Sequence, residues 1–244
     1  MQYDEMRDAY VETSLGRLHC KRHRAEGKKI TFLHGFGAST MVWKRLVAEL
    51  PDELDICLVD LLGHGESEAP RIKYSVDVQA TAVKELMQQL GMENGYIFGH
   101  SYGGWIAASI AMDNFRGSGI MLEDPAGLKE QIEDDIVKYG EAYRKSLAKE
   151  AVALGANEYV VGSSLEAETP DAYLTREKLT GIVKPCLVIW GSDDNVVDTR
   201  YASLFNEYIK GSALEVVQGA GHVAHYTHAV AVAKLLARFV GVES

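Results

Sequence analysis

The sequence predicts an α/β fold: a mostly parallel central sheet with helices on both faces and one small helical insertion. Three observations predict it. Short apolar, β-branched runs alternate with segments of helical period along most of the chain, which implies parallel strands joined by helical crossovers. A single long stretch breaks that alternation. Finally, "GYIFGHSYGGWIAAS", from Gly95 to Ser109, sets a lone serine between a buried strand and a small-residue helix, with glycines two positions to either side.

The elements follow in order. "YVETSLGRLHCKRH" reads as two strands joined at Gly16, and "KKITFLHG" as a third, apolar enough to lie centrally. "STMVWKRLVAEL" is an amphipathic helix that Ser39 or Thr40 can cap, and the strand "DICLVDL" comes next. From Ser75, apolar residues at Val76, Ala80, Val83, Met87 and Leu90 recur at three and four, giving a helix that Gly91 ends. After the Ser101 strand and its helix, "GSGIMLED" and "KPCLVIWG" are strands, "TRYASLFNEYIKG" is a helix and "ALEVVQG" is the last strand. The tail from His222 to Val240 is a closing helix. Between Leu128 and Thr180 there is no strand-like run; Leu128, Ile132, Ile136, Tyr139, Tyr143, Leu147, Ala151 and Leu154 trace a helical stripe instead. Insertions into a parallel sheet tend to lie over the carboxyl ends of the strands, where ligands bind. The stripe therefore reads as a lid with Tyr139 and Tyr143 turned to substrate, the alternative being an extra packing helix on the core.

With 244 residues, 47% of them hydrophobic, the chain is long enough to bury a full core as one large domain. A net charge of −10 leaves no basic face for phosphates, so no nucleic-acid partner is expected. "MQYDEMRDAY" has no basic region leading into an apolar one, and no apolar run nears membrane-spanning length, so neither a secretory signal nor membrane association is expected. Cys20, Cys57 and Cys186 are scattered through strand-like segments, which suits reduced, packed thiols in the cytoplasm.

Gly99-His100-Ser101-Tyr102-Gly103 matches Gly-x-Ser-x-Gly in the strand-to-helix context that motif requires. A serine at so sharp a turn takes a strained backbone, and a Cβ at Gly99 or Gly103 would strike the neighbouring strand and helix. The turn lifts the hydroxyl clear of the sheet and aims a helix amino terminus at it, where negative charge is favoured. "FLHGFG" ends a central strand with a glycine-rich turn that can face an amide inward, so the N–H groups of Phe36 and Tyr102 are assigned as an oxyanion hole. A base is supplied by "QGAGH", where His222 sits on a glycine-flexed loop after the last strand. His34 precedes the serine on a strand end and reads as a brace for its loop; His64, in a turn between two glycines, reads as structural too. His225 and His228 follow His222 at steps of three, yet they enter the helix and no carboxylate or cysteine completes a ligand set, so no metal is expected.

HGFG, DLLGHGES, GHSYGG, WGSDDNVV and GAGH, in this order between residues 34 and 222, resemble the α/β-hydrolase superfamily, in its lidded serine esterase and carbon-carbon hydrolase branch. The resemblance implies the α/β-hydrolase fold, Ser101 as nucleophile, His222 as base and an acid after the penultimate strand, a position that falls on Asp194. Asp193 is its neighbour, and Asp124 in "MLEDPAG" ends the preceding strand, a place some hydrolases of this fold use instead. The serine speaks against the haloalkane dehalogenase and epoxide hydrolase branches, which use an aspartate there. The implied division is a core of residues 1–127 and 181–244 with a lid at 128–180, shorter than the family's usual four-helix cap, so pocket shape does not carry over.

The expected activity is a carboxylesterase that cleaves small or medium acyl esters through an acyl-enzyme, with a small-molecule partner and no metal or organic cofactor. Two other readings stand beside it. A carbon-carbon bond hydrolase of vinylogous diketo acids would use the same triad and need arginines near the pocket, for which Arg144 and Arg176 are candidates. A ligand-sensing receptor would keep the fold and signal by lid movement.

Overall fold

The computed structural model describes residues 1–139, 146, 148–149, 151–153, 156–167 and 169–242. Its strands are β1 (Arg7–Thr13), β2 (Gly16–His23), β3 (Lys29–Leu33), β4 (Asp55–Val59), β5 (Tyr96–His100), β6 (Gly119–Glu123), β7 (Cys186–Gly191) and β8 (Ala213–Val217). Gly16 turns the β1–β2 hairpin at φ +135°, a value an L side chain rarely adopts, and pairs with Thr13. The sheet order is β1-β2-β4-β3-β5-β6-β7-β8. β1 with β2 and β2 with β4 run antiparallel, and every later pairing is parallel. All residues of β4, β6 and β7 are buried, as strands covered on both faces must be.

The helices are α1 (Lys44–Ala48), α2 (Val76–Gln89), α3 (Tyr102–Met112), α4 (Lys129–Tyr139), α5 (Glu158–Ala167), α6 (Arg176–Leu179), α7 (Arg200–Tyr208), α8 (Ala224–Thr227) and α9 (Ala229–Val240). α2, α3 and α7 cover one face of the sheet, where Val83, Leu86, Ile106 and Phe205 pack with Leu33, Ile97 and Leu122. α1 and α9 cover the other, where Leu46, Val47, Val232 and Leu236 pack with Phe32, Phe98 and Met121. Each such fully buried aliphatic contributes about 1.5–3 kcal/mol over an exposed one. The ends of α2 follow from its sequence. Ser75 Oγ accepts from Val78 N–H at the start, and Gly91, at φ +66°, ends the run.

Three sequence expectations change in detail. Residues 40–50 form a 3-10 turn (Thr40–Trp43) before the five-residue α1, because Thr40 N–H is captured by Asp60 Oδ1 at 2.6 Å and Trp43 turns inward onto Phe32 and Phe98. The closing helix starts only at Ala224 and breaks at His228. Along the stripe from Leu128, the described residues Leu128, Ile132 and Ala151 are buried, while Ile136 is exposed. The Tyr139 side chain, Tyr143, Arg144, Leu147 and Leu154 lie outside the described residues. The segment after β6 is fastened to the core. Lys129 N–H and Trp105 Nε1–H donate to the carbonyls of Leu174 and Ala172, and Ser163 Oγ–H and Tyr159 O–H both donate to Ile72 O.

An ion cluster with His19 and Asp60 buried and Asp8 exposed ties the antiparallel edge to the loop after β4. His19 on β2 donates from Nδ1 to Asp60 Oδ2 at 2.7 Å and from Nε2 to Asp8 Oδ1 at 3.0 Å. Burial alone would lower the His19 pKa, but the two carboxylates more than reverse it, and the net value lies above that of an ordinary histidine. A raised folded-state pKa stabilises the fold fully below the unfolded value of about 6.5, and that contribution fades as pH rises through the folded value. The gap in Tm between wild type and His19→Gln should therefore be widest below about pH 6.5 and shrink as pH rises above it. A gap that stays constant or widens would mean that His19 is held neutral.

Candidate active site

Ser101 stands between β5 and α3 with φ 52° and ψ −115°, a conformation that costs an L residue of order 1–3 kcal/mol. The surroundings impose it. A Cβ on Gly99 would strike the Gly103 carbonyl, one on Gly103 would strike the Leu33 carbonyl, and one on Gly104 would come within 2.9 Å of Pro125. Ser101 N–H donates to Glu123 O at 2.9 Å, and Ser101 O accepts from both Trp105 N–H and Ala126 N–H, so the turn is anchored to β6 as well.

His222 lies on the loop between β8 and α8, and its ring joins two residues distant in sequence. Nδ1 is 2.8 Å from Asp194 Oδ2 and Nε2 is 3.0 Å from Ser101 Oγ. A carboxylate only accepts, so Nδ1 carries the proton and the Nε2 lone pair faces the serine hydroxyl. Asp194 follows β7 and is buried; burial works against its charge, but hydrogen bonds from His222 and from the Val196 and Val197 amides outweigh it and hold its pKa below the usual aspartate value. Asp193, the neighbour, is exposed and accepts from Ser192 Oγ–H. Asp124 takes another part: fully buried, it accepts from Gly191 N–H at 2.9 Å, and burial followed by the charge of Glu123 pushes its pKa up to about 10. The neighbouring Asp194 raises it further, so its protonated form is favoured, and its side chain is tied to the end of β7.

The loop carrying Phe36 flanks the serine. A Cβ on Gly35 would sit 2.9 Å from His100 Nδ1 and 3.4 Å from Ser101 Cβ, and the Phe36 ring meets Tyr102 edge-on at 5.5 Å. Tyr102 is the first residue of α3, at the positive end of the helix. His34 braces the loop as its position suggests: Nδ1–H donates to Gly35 O and Nε2 accepts from Leu61 N–H, while burial lowers its pKa. His64 is likewise buried, donating to Leu62 O, with a pKa lowered to about 3 chiefly by burial.

Sequence reasoning passed over a second tier of buried groups. Glu123 receives His225 N–H at 2.7 Å and His225 Nδ1–H at 2.9 Å, so the end of β6 holds the backbone just beyond His222. His100 Nε2–H donates to the His222 carbonyl at 2.7 Å. The signal for Glu123 was a charge closing the apolar run "GIMLE", since a buried carboxylate demands partners. The three histidines at steps of three have three separate partners: Asp194 for His222, Glu123 for His225 and Thr227 for His228.

Above Ser101 and His222 opens a cavity of about 440 Å³. Phe36, Val42, Trp105, Ile132, Leu165 and Val223 make most of its wall apolar, with Gln131 and Asp135 of α4 as polar points. No arginine or lysine lines it among the described residues. Arg176 is drawn away, paired with Glu207 at 3.0 Å.

Residues 32–235 match the model of the alpha/beta hydrolase family. The chain belongs to that family. Among relatives of this hydrolase, Lipase 3 of Moraxella sp. is 27% identical over 84% of this chain and 75% of the lipase. An uncharacterized protein of Mycobacterium tuberculosis is 25% identical over 90% of this chain and 77% of its own length. In fold, the esterase from Exiguobacterium antarcticum superposes with a TM-score of 0.80 at 21% identity, over 96% of this chain and all of the esterase, 100%.

The tight approach of Gly103 to β3 makes a stability prediction for this alpha/beta hydrolase. Gly103→Ala should lose about 3 kcal/mol or more of stability, read from the urea midpoint. An unchanged midpoint would show that the turn around Ser101 is not sterically enforced.

Proposed function

We propose that the protein is a serine hydrolase acting as a carboxylesterase on small or medium acyl esters. The observation that carries the reading is the hydrogen-bonded chain Asp194–His222–Ser101 at the floor of an apolar cavity. His222 Nε2 takes the Ser101 proton as Oγ attacks the acyl carbonyl, and Asp194 holds the ring in the tautomer that allows it. The Phe36 and Tyr102 N–H groups bind the oxyanion that forms. Collapse expels the alcohol, which leaves with the proton from His222. Water, deprotonated by the same nitrogen, then attacks the acyl-enzyme, releasing the acid and restoring the serine. No step calls for a metal or organic cofactor.

On this reading residues 128–180 are a lid: α4 and α5 both contribute to the wall above Ser101, Ile132 from one and Leu165 from the other. Three buried cysteines, all free thiols, support work in the reducing cytoplasm. The apolar wall suits an acyl chain better than a dicarboxylate, which favours ester over diketo-acid cleavage.

Two measurements test the proposal. A panel of aryl esters of increasing acyl length should be hydrolysed and a diketo-acid cleavage substrate should not; turnover confined to the diketo acid would overturn the ester assignment. Asp194→Asn should lower kcat by about three to four orders of magnitude with little change in KM, because His222 loses its tautomer and its countercharge. Asp124→Asn, which replaces an acid whose protonated form is favoured with a neutral amide, should be mild. Collapse in Asp124→Asn with near-full turnover in Asp194→Asn would reassign the acid.

A further inference from the structure

The acids of α4 divide sharply by what they face. Glu130 accepts from Tyr208 O–H, Glu133 pairs with Lys129, and Asp134 accepts from both Arg200 and Tyr201, all outside the cavity. Asp135 stands instead on the cavity wall, one helical turn beyond Gln131. Gln131, buried, accepts Gly127 N–H at its Oε1, which fixes the amide so that Nε2–H donates to Asp135 Oδ2 at 2.8 Å. Burial raises the Asp135 pKa, and the hydrogen bond from Gln131 is the chief influence in the other direction. A neutral amide satisfies part of one carboxylate oxygen. The charges of Lys138 and Arg200 also favour its ionised form, less strongly, and on the cavity side the wall is built from side chains such as Ile132, Trp105 and Leu165, which offer it no charge.

We propose that Asp135, oriented by Gln131, is a hydrogen-bond-accepting subsite that selects substrates bearing a donor, an ammonium or a hydroxyl, away from the scissile bond and rejects those bearing a carboxylate. The inference rests on the cavity being the substrate site proposed above. A polar acceptor in a largely apolar pocket sets orientation and specificity, because a ligand lacking the donor displaces water from the half-buried carboxylate without replacing its hydrogen bonds. An ammonium gains Coulombic attraction as well and should exceed a hydroxyl; an anion meets repulsion. Asp135 is here a specificity residue, with no part in the proton transfers at Ser101.

The test is made by calorimetry with three matched probes, hexylammonium, hexan-1-ol and hexanoate, on the whole protein and on Asp135→Asn and Asp135→Leu. The wild type should bind hexylammonium most tightly and hexanoate least. Both variants should weaken hexylammonium by about ten-fold or more and strengthen hexanoate, the scale of one hydrogen bond to a charged group. Asp135→Asn keeps size and shape, so its fold serves as the control if Asp135→Leu fails to fold. Equal affinities across the three proteins, or tighter binding of hexanoate to the wild type, would overturn the subsite. Because binding needs no turnover, a charge preference that survives while esters go uncleaved would sink the esterase proposal alone. Ester cleavage with no charge preference would sink the subsite alone.

Discussion

The close approach of three backbone segments beneath Ser101 is the constraint on which the rest of the structure depends. β5, the first turn of α3 and the end of β3 meet with room for hydrogen atoms only, at Gly99 and Gly103. The chain cannot pass from strand to helix there in an ordinary conformation, and the strain falls on Ser101 at φ 52°. That strain raises the hydroxyl above the carboxyl ends of the parallel strands, where the loops after β3, β6, β7 and β8 converge. The sheet supplies the rigidity to hold it: β5 is flanked by β3 and β6, and its neighbours are buried on both faces.

A strained turn is useful only if the surrounding loops are held as firmly, and buried polar groups do this. Glu123 ties the elbow's neighbour strand to the segment carrying His222, and His100 donates to the His222 carbonyl itself. Asp60 accepts from Thr40, Glu66 and His19, which fastens the loop after β3 to the turn after β4. Gln79 of α2 brackets that turn from below, bonding both backbone groups of Leu62. Each of these groups would be costly if unsatisfied, so the loops have one low-energy arrangement. The DLLGHGES segment is thus a scaffold for the Phe36 loop, with His64 packed beneath that aromatic ring.

The strands were legible because inner parallel strands are continuous apolar runs, and Ser101 because its glycines mark a backbone contact. His222 was legible from its glycine-flexed loop, and Asp194 from motif register. Other features depend on contacts that no local pattern encodes. The Glu123–His225 pair spans 102 residues in sequence. α5 escaped notice because its buried positions, Val160, Val161, Ser164 and Ala167, mix with Gly162 and Ser163, which blurs the apolar stripe. Residues 40–50 read as one helix, yet capture of Thr40 by Asp60 tightens the first turn into 3-10 geometry. Asp135 sits in the acidic run "EDD", and only tertiary packing sets it apart from Asp134.

The central claim is that a strained, histidine-paired serine forms a covalent bond to the acyl group. The most direct measurement is to mix the protein with p-nitrophenyl butyrate, quench in acid during turnover, and map the intact mass and its peptides. A single butyryl group on Ser101, with a burst of nitrophenol near one equivalent per chain, is the expected result. Steady hydrolysis with the acyl group on another residue would contradict the account.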